Sequence, residues 1–168
     1  MITRLNLSSN GCGRDACLAL AMGLKKNHSL RSLELSKNRV GDDGLDALSG
    51  GLEGHRFLQN VELASNFVHD DGVEDLCRGL LLNNSVCRIG LADNCVGPRG
   101  VSALCSCLRT NQTVRDVDLS RNPLIGAEGA AFMGRYLEDR DCRLECLLMS
   151  QTTLCAGETD KKGVFGMA

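Results

Sequence analysis

The chain has 168 residues, 43% of them hydrophobic, which is enough for one domain and leaves little for a second. Its formal charge of −2 offers a phosphate backbone no attraction, and four Phe, one Tyr and no Trp supply no row of stacking platforms, so nucleic acid is not an expected partner. No apolar run approaches the roughly 20 residues that a membrane-crossing helix needs, so no membrane partner is expected either.

Asparagine recurs every 28 residues, at Asn10, Asn38, Asn66, Asn94 and Asn122. Each closes an apolar-x-apolar-x-x run. The first is Leu5-Asn6-Leu7-Ser8-Ser9-Asn10, and the others begin at Leu33, Val61, Ile89 and Val117. A third apolar residue stands three positions upstream of each, as Ile2, Leu30, Leu58, Val86 and Val114. Alternation of this kind predicts a short half-buried strand, and a fixed period predicts parallel stacking into a solenoid. The Asn amide both donates and accepts, so it can satisfy backbone groups that the turn leaves unpaired.

After each Asn the period changes, as in Gly44, Leu45, Leu48, Leu52 and in Gly72, Val73, Leu76, Leu80, which predicts an amphipathic helix. Asp15, Asp42, Asp43, Asp70, Asp71 and Glu128 fall at the helix starts, where they are expected to cap open N–H groups. The helices give way to polar turns at Asn27-His28-Ser29, Asn83-Asn84-Ser85 and Asn111-Gln112-Thr113. These turns also match glycosylation triplets, but their place in the repeat accounts for them.

In the fifth unit Gly126 and Gly129 lie one residue late, and a second residue enters near Glu138 to Cys142. With that shift Leu144, Leu147 and Met149 take the strand positions and Thr152 replaces Asn. The expected organisation is a repeat domain over 1–155, five regular units and a degenerate sixth, followed by a tail over 156–168.

These runs form the L-x-x-L-x-L-x-x-N signature, and the sequence resembles the ribonuclease-inhibitor-like subfamily of leucine-rich repeats over roughly 1–155. The resemblance implies an α/β solenoid, a curved horseshoe segment with parallel strands on its concave face and helices on its convex face. The subfamily includes ribonuclease inhibitor, the repeat regions of NOD-like receptors, tropomodulin, the Ran GTPase-activating protein and several ciliary proteins. It is nearly silent on function.

Ten cysteines invite a metal or disulfide reading. Most of them replace small apolar core residues, however: Cys12 stands where Val40, Val68 and Val96 do, and Cys77 and Cys105 where Ala21 does. No Cys-x-x-Cys occurs, so no metal is expected, and free thiols imply a reducing, cytoplasmic setting. His28, His55 and His69 fall in loops of different units, none at ligand spacing. No phosphate loop or nucleophile elbow appears, and neither a cofactor nor an enzymatic activity is expected.

What remains is the solvent face of the strands. One column reads Asn6, Glu34, Glu62, Gly90, Asp118, and it is flanked by Arg4, Ser32, Asn60, Arg88, Asp116. This face is expected to bind a protein with basic residues, centred on Glu34 and Glu62 and extended by Arg4, Lys37, Arg88, Asp93, Asp118 and Arg121. The same charges also read as an ordinary solvated surface. Phe67, on the turn rim where other units hold Gly11, Arg39, Cys95 or Pro123, is a second candidate. The expected role is a non-enzymatic scaffold in a larger intracellular assembly. Alternatives are a GTPase activator using Arg4, Arg39 or Arg88, and a structural ciliary or cytoskeletal subunit. The first unit begins at Met1 with no capping helix ahead of it, so that end is expected to be covered by a neighbouring chain or a missing cap.

Overall fold

The computed structural model describes residues 1–153; the expected tail and the domain boundary at 155 lie outside them. Six strands alternate with five helices: β1 (Arg4–Asn6), α1 (Arg14–Leu24), β2 (Ser32–Glu34), α2 (Gly41–Leu52), β3 (Asn60–Glu62), α3 (Asp70–Leu81), β4 (Arg88–Gly90), α4 (Pro98–Thr110), β5 (Asp116–Asp118), α5 (Gly126–Leu137) and β6 (Cys146–Leu148). The strands form one parallel sheet in chain order. Leu5, Leu33, Val61, Ile89 and Val117 pair in succession, and Val117 pairs with Leu147. Strands line the concave side of the solenoid and helices the convex side.

Between the layers, Leu33, Leu35, Val61, Leu63, Ile89 and Leu91 from the strands meet Leu45, Leu48, Val73, Leu76, Val101 and Leu104 from the helices, all buried. No coil could bury this surface alone, so each depends on its neighbours.

The asparagines lock the stack. Asn66 is buried, and its amide donates to Leu63 O (3.0 Å) and Ala64 O (3.1 Å) in its own coil and to Leu35 O (2.9 Å) in the coil before. Its Oδ1 accepts from Val40 N at 3.2 Å, while Asn94 Oδ1 accepts from Asn66 N (2.9 Å) and Val68 N (3.1 Å). At the ends the device weakens: among the described residues, the exposed Asn10 amide reaches only Ser8 O, at 3.1 Å, and Thr152 bonds only to Met149 O, at 3.0 Å.

Two details set the helix spacing. Gly51 and Gly79 lie where a Cβ would strike the backbone of Ala21 and of Ser49 in the preceding helix, so α1, α2 and α3 approach at backbone distance. Cys107 takes the next place in that column, its thiol against Cys77 O at 3.7 Å. Gly41 and Gly126 share a left-handed φ of 58°, each after a helical, buried residue, Val40 and Ile125. That correspondence puts one extra residue between Asn122 and α5.

The acids stand in the first helical turns as expected, but Asp42 and Asp70 act differently from a cap. No N-cap of α1 to α5 carries a side-chain bond. Instead Asp42 Oδ1 accepts from His69 N (2.7 Å) and Asp70 Oδ1 from Gly97 N (2.6 Å), each in the next coil. Close stacking brings the next coil's N–H within reach, and Gly72 and Gly100 leave room for the two carboxylates.

Replacing Asn66 by Ala would leave several buried backbone groups unsatisfied. The expected loss is about 3 kcal/mol or more of unfolding free energy in urea, against less than about 1 kcal/mol for Asn10→Ala.

Candidate functional site

Strand pairing sets Asn6, Glu34, Glu62, Gly90 and Asp118 side by side across the concave face. Glu34 is well partnered: Asn6 Nδ2 donates to it at 2.6 Å, and Arg4 Nε lies 3.7 Å away. Glu62 is not. Its carboxylate accepts from Ala64 N at 3.2 Å and leans across β4 into the space over Gly90, where any Cβ would overlap both oxygens. Gly90 is therefore the gap that Glu62 fills, and not a flexibility device.

Among the described residues no cation lies within salt-bridge distance of Glu62. Partial burial raises its pKa above the ordinary carboxylate value; Asp118 adds to the rise, while the Ala64 N–H and Arg88 oppose it. A depression of about 250 Å³ lies here, bordered by Arg4, Glu34, Asn60, Glu62 and Arg88. It can accept a cation at Glu62 while Arg88, exposed on β4, stays free to meet an anion.

The other expected residues fall apart from this depression. Lys37, Asp93 and Arg121 sit beyond the strand ends in left-handed backbone, with φ of 57°, 56° and 55°. Asp93 accepts from Ser65 Oγ at 2.6 Å and Asp118 from Ser120 N at 2.9 Å. Phe67 stands on the rim, 64% exposed, with φ of 59°. A bulky side chain in that region is strained, and Gly11 holds the same place in the first coil with φ of 69°.

The structure also joins residues that the sequence scatters. His28 and His55 border one cavity of about 150 Å³ between the first and second coils, with Lys25, Glu53 and Arg56. Their numbers differ by almost one repeat, which was the available signal. A larger apolar cavity, about 470 Å³, opens at the first coil between Ile2, Leu5, Leu7, Leu20 and Leu24. Of the cysteines, Cys17, Cys77, Cys105 and Cys107 are buried, Cys12, Cys87, Cys95 and Cys142 half-buried and Cys146 exposed. Burial pushes the Cys17 and Cys105 thiols up to about 11, which makes both poor nucleophiles. Among the described residues no three His, Cys, Asp or Glu side chains are grouped to hold a metal, and no helix is long and apolar enough to cross a membrane.

The parallel strands, the helices behind them and the asparagine ladder make up a leucine-rich repeat fold. The leucine-rich repeat family profile matches residues 26–49, 87–105 and 110–134. Solved structures that share the fold include a leiomodin-1 site and a tropomodulin domain. The leiomodin-1 actin-binding site 2 is 20% identical with a TM-score of 0.66, the match covering 83% of this chain and 80% of that one. A tropomodulin C-terminal domain from Caenorhabditis elegans is 15% identical with a TM-score of 0.65, covering 82% of each chain. No curated protein sequence matches the chain.

The raised Glu62 pKa has a definite consequence for stability. A folded-state pKa above the unfolded value means that this group stabilises the fold below the unfolded pKa and loses that contribution as pH rises through the folded one. Glu62→Gln is therefore expected to unfold at higher urea than the wild type near neutral pH, the gain vanishing toward the ordinary carboxylate range. A variant less stable at neutral pH would contradict the assignment.

Proposed function

We propose that the chain is a non-enzymatic protein-interaction scaffold whose concave strand face binds a partner through a basic side chain at Glu62. The observation that carries this reading is the half-buried carboxylate over Gly90, which no cation among the described residues pairs at salt-bridge distance. An ionised group held in a destabilising place is explained when a partner's ammonium or guanidinium completes it. Arg88 and Arg4 beside it would set the partner's orientation by meeting acidic groups, and Phe67 would anchor the rim. Lys37, Asp93, Asp118 and Arg121 would supply the outer polar contacts.

The repeats are assigned to the ribonuclease-inhibitor-like subfamily. A 28-residue offset between successive strands from β1 to β5, and a full helix in each of the first five coils, support this. The setting proposed is cytoplasmic, consistent with free thiols throughout the core. The open apolar end at Ile2 and Leu20 is proposed to lie against a neighbouring chain or a further coil, since 470 Å³ of apolar cavity is poorly tolerated in water. A cytoskeletal subunit is a second reading, favoured by the fold shared with the leiomodin-1 actin-binding site 2. For GTPase activation, Arg4 is engaged by Glu34 at 3.7 Å, and no observation singles out Arg39 or Arg88 for that role.

The test is site-specific photo-crosslinking in native extract. A crosslinker at Asn60 is expected to capture a discrete protein, one at Ser102 on the convex side to capture none, and Glu34→Lys with Glu62→Lys to reduce capture roughly tenfold or more. Equal capture from both faces, or capture indifferent to the double substitution, would refute the site.

A further inference from the structure

A second ladder runs along the turns that follow the helices. Asn83 Oδ1 accepts from Ser85 N and Val86 N, both at 2.8 Å, and its amide donates to Leu52 O (2.7 Å) and His55 O (3.0 Å) in the coil before. Asn111 repeats this with Thr113 N (2.9 Å), Val114 N (3.0 Å), Leu80 O (2.7 Å) and Asn83 O (3.0 Å). One side chain thus closes its own turn and ties it to the previous coil.

In the second coil that column holds His55. Its Nδ1 performs the accepting half of the task, receiving Phe57 N at 3.2 Å and Leu58 N at 3.0 Å. The ring is therefore neutral and its proton sits on Nε2. The donating half fails. His55 is only 6% exposed, and Nε2 is buried without a hydrogen-bond partner. Beside it lies the 150 Å³ cavity, between the turns of the first and second coils.

We propose that His55 is an acid-operated joint that regulates the concave site by opening the turn between Glu34 and Glu62. A proton on Nδ1 would point at two backbone N–H groups, so the imidazolium form cannot keep the His55–Leu58 turn closed. The charged groups facing the ring offer no net relief. Lys25 and His28 approach from the end of α1 and the turn after it, and Glu53 and Arg56 from the ring's own turn. The third coil contributes only the neutral Asn83 and Ser85, both bonded to His55 O, at 3.0 Å and 2.7 Å. Burial foremost, then His28, pushes the His55 pKa below its usual value; the Asn27 backbone opposes this without reversing it. The sign follows. A depressed folded-state pKa means that stability is whole above the ordinary histidine value and is lost as pH falls below it.

That turn leads into β3, whose pairing with β2 sets Glu62 beside Glu34, and opening it would loosen the pairing that holds the two carboxylates side by side. The control of binding rests on the concave-face reading, whereas the joint itself does not.

Hydrogen exchange of the wild type and His55→Asn, at pH about 7.5 and about 5 and corrected for intrinsic rates, tests the joint. Peptides spanning 52–62 are expected to lose protection tenfold or more at the lower pH in the wild type only, while those spanning 108–118 stay unchanged in both. Equal pH dependence in the two proteins, or loss spread over every turn, would overturn the joint. If His55→Asn does not fold, imidazole ¹⁵N NMR of the wild type decides: the account requires the Nε2–H tautomer at neutral pH, and an Nδ1–H tautomer refutes it. Loss of protection at 52–62 with photo-crosslinking from Asn60 unchanged across the same pH range would refute the regulation.

Discussion

The second to fifth coils each hang on a buried asparagine amide, of Asn38, Asn66, Asn94 or Asn122, that bonds two coils at once. Backbone N–H and C=O groups at the strand exit are hidden from water, and an unmet one costs on the order of 1–3 kcal/mol. Asn66 meets carbonyls of its own coil and of the one before, while its Oδ1 serves Val40 N. No apolar side chain can do both, so the position is fixed. With the turn fixed, strands can only stack in parallel, and side chains fall into straight columns. Where the bond is weaker, at Asn10, the asparagine itself is exposed.

A stack this constrained leaves freedom only in the outward columns. Three departures from the column rule stand out there, and each has a physical signature. Glu62 lies over a glycine instead of a side chain, Phe67 holds a left-handed backbone while exposed, and His55 supplies one donor where asparagine supplies two. Strain and unmet polarity concentrate at functional places when the rest of the fold is over-determined. Glu62 and His55 lie on either side of the same short stretch leading through β3. Binding and its control would then share one segment.

Much of the fold was legible in the residues because it follows from periodicity. Alternation at Leu33 and Leu35 gave β2, and the change to spacings of three and four after Asn38 gave α2. The direction of the Asp42 and Asp70 side chains was not legible, since nothing in one coil's sequence says that the next coil's N–H is in reach. Gly51 and Gly79 carried a signal in their 28-residue spacing, but their purpose, backbone contact between helices, is visible only in three dimensions. The candidate site was legible as a column and not as a geometry. Glu34 and Glu62 read as two equivalent acids, yet Asn6 and Arg4 satisfy one while the other turns toward Gly90. Lys37, Asp93 and Arg121 shared a sequence column but stand on the turns, outside the depression.

The central claim is that Glu62 is an ionisable group left unpaired among the described residues and completed by a partner's cation. Carboxylate ¹³C NMR titration of Glu62, in the free chain and bound to the protein captured from Asn60, tests it most directly. The account predicts a pKa above the ordinary carboxylate value in the free chain and a fall on binding, because a nearby cation favours the ionised form. An ordinary value in the free chain, or no change on binding, would contradict it.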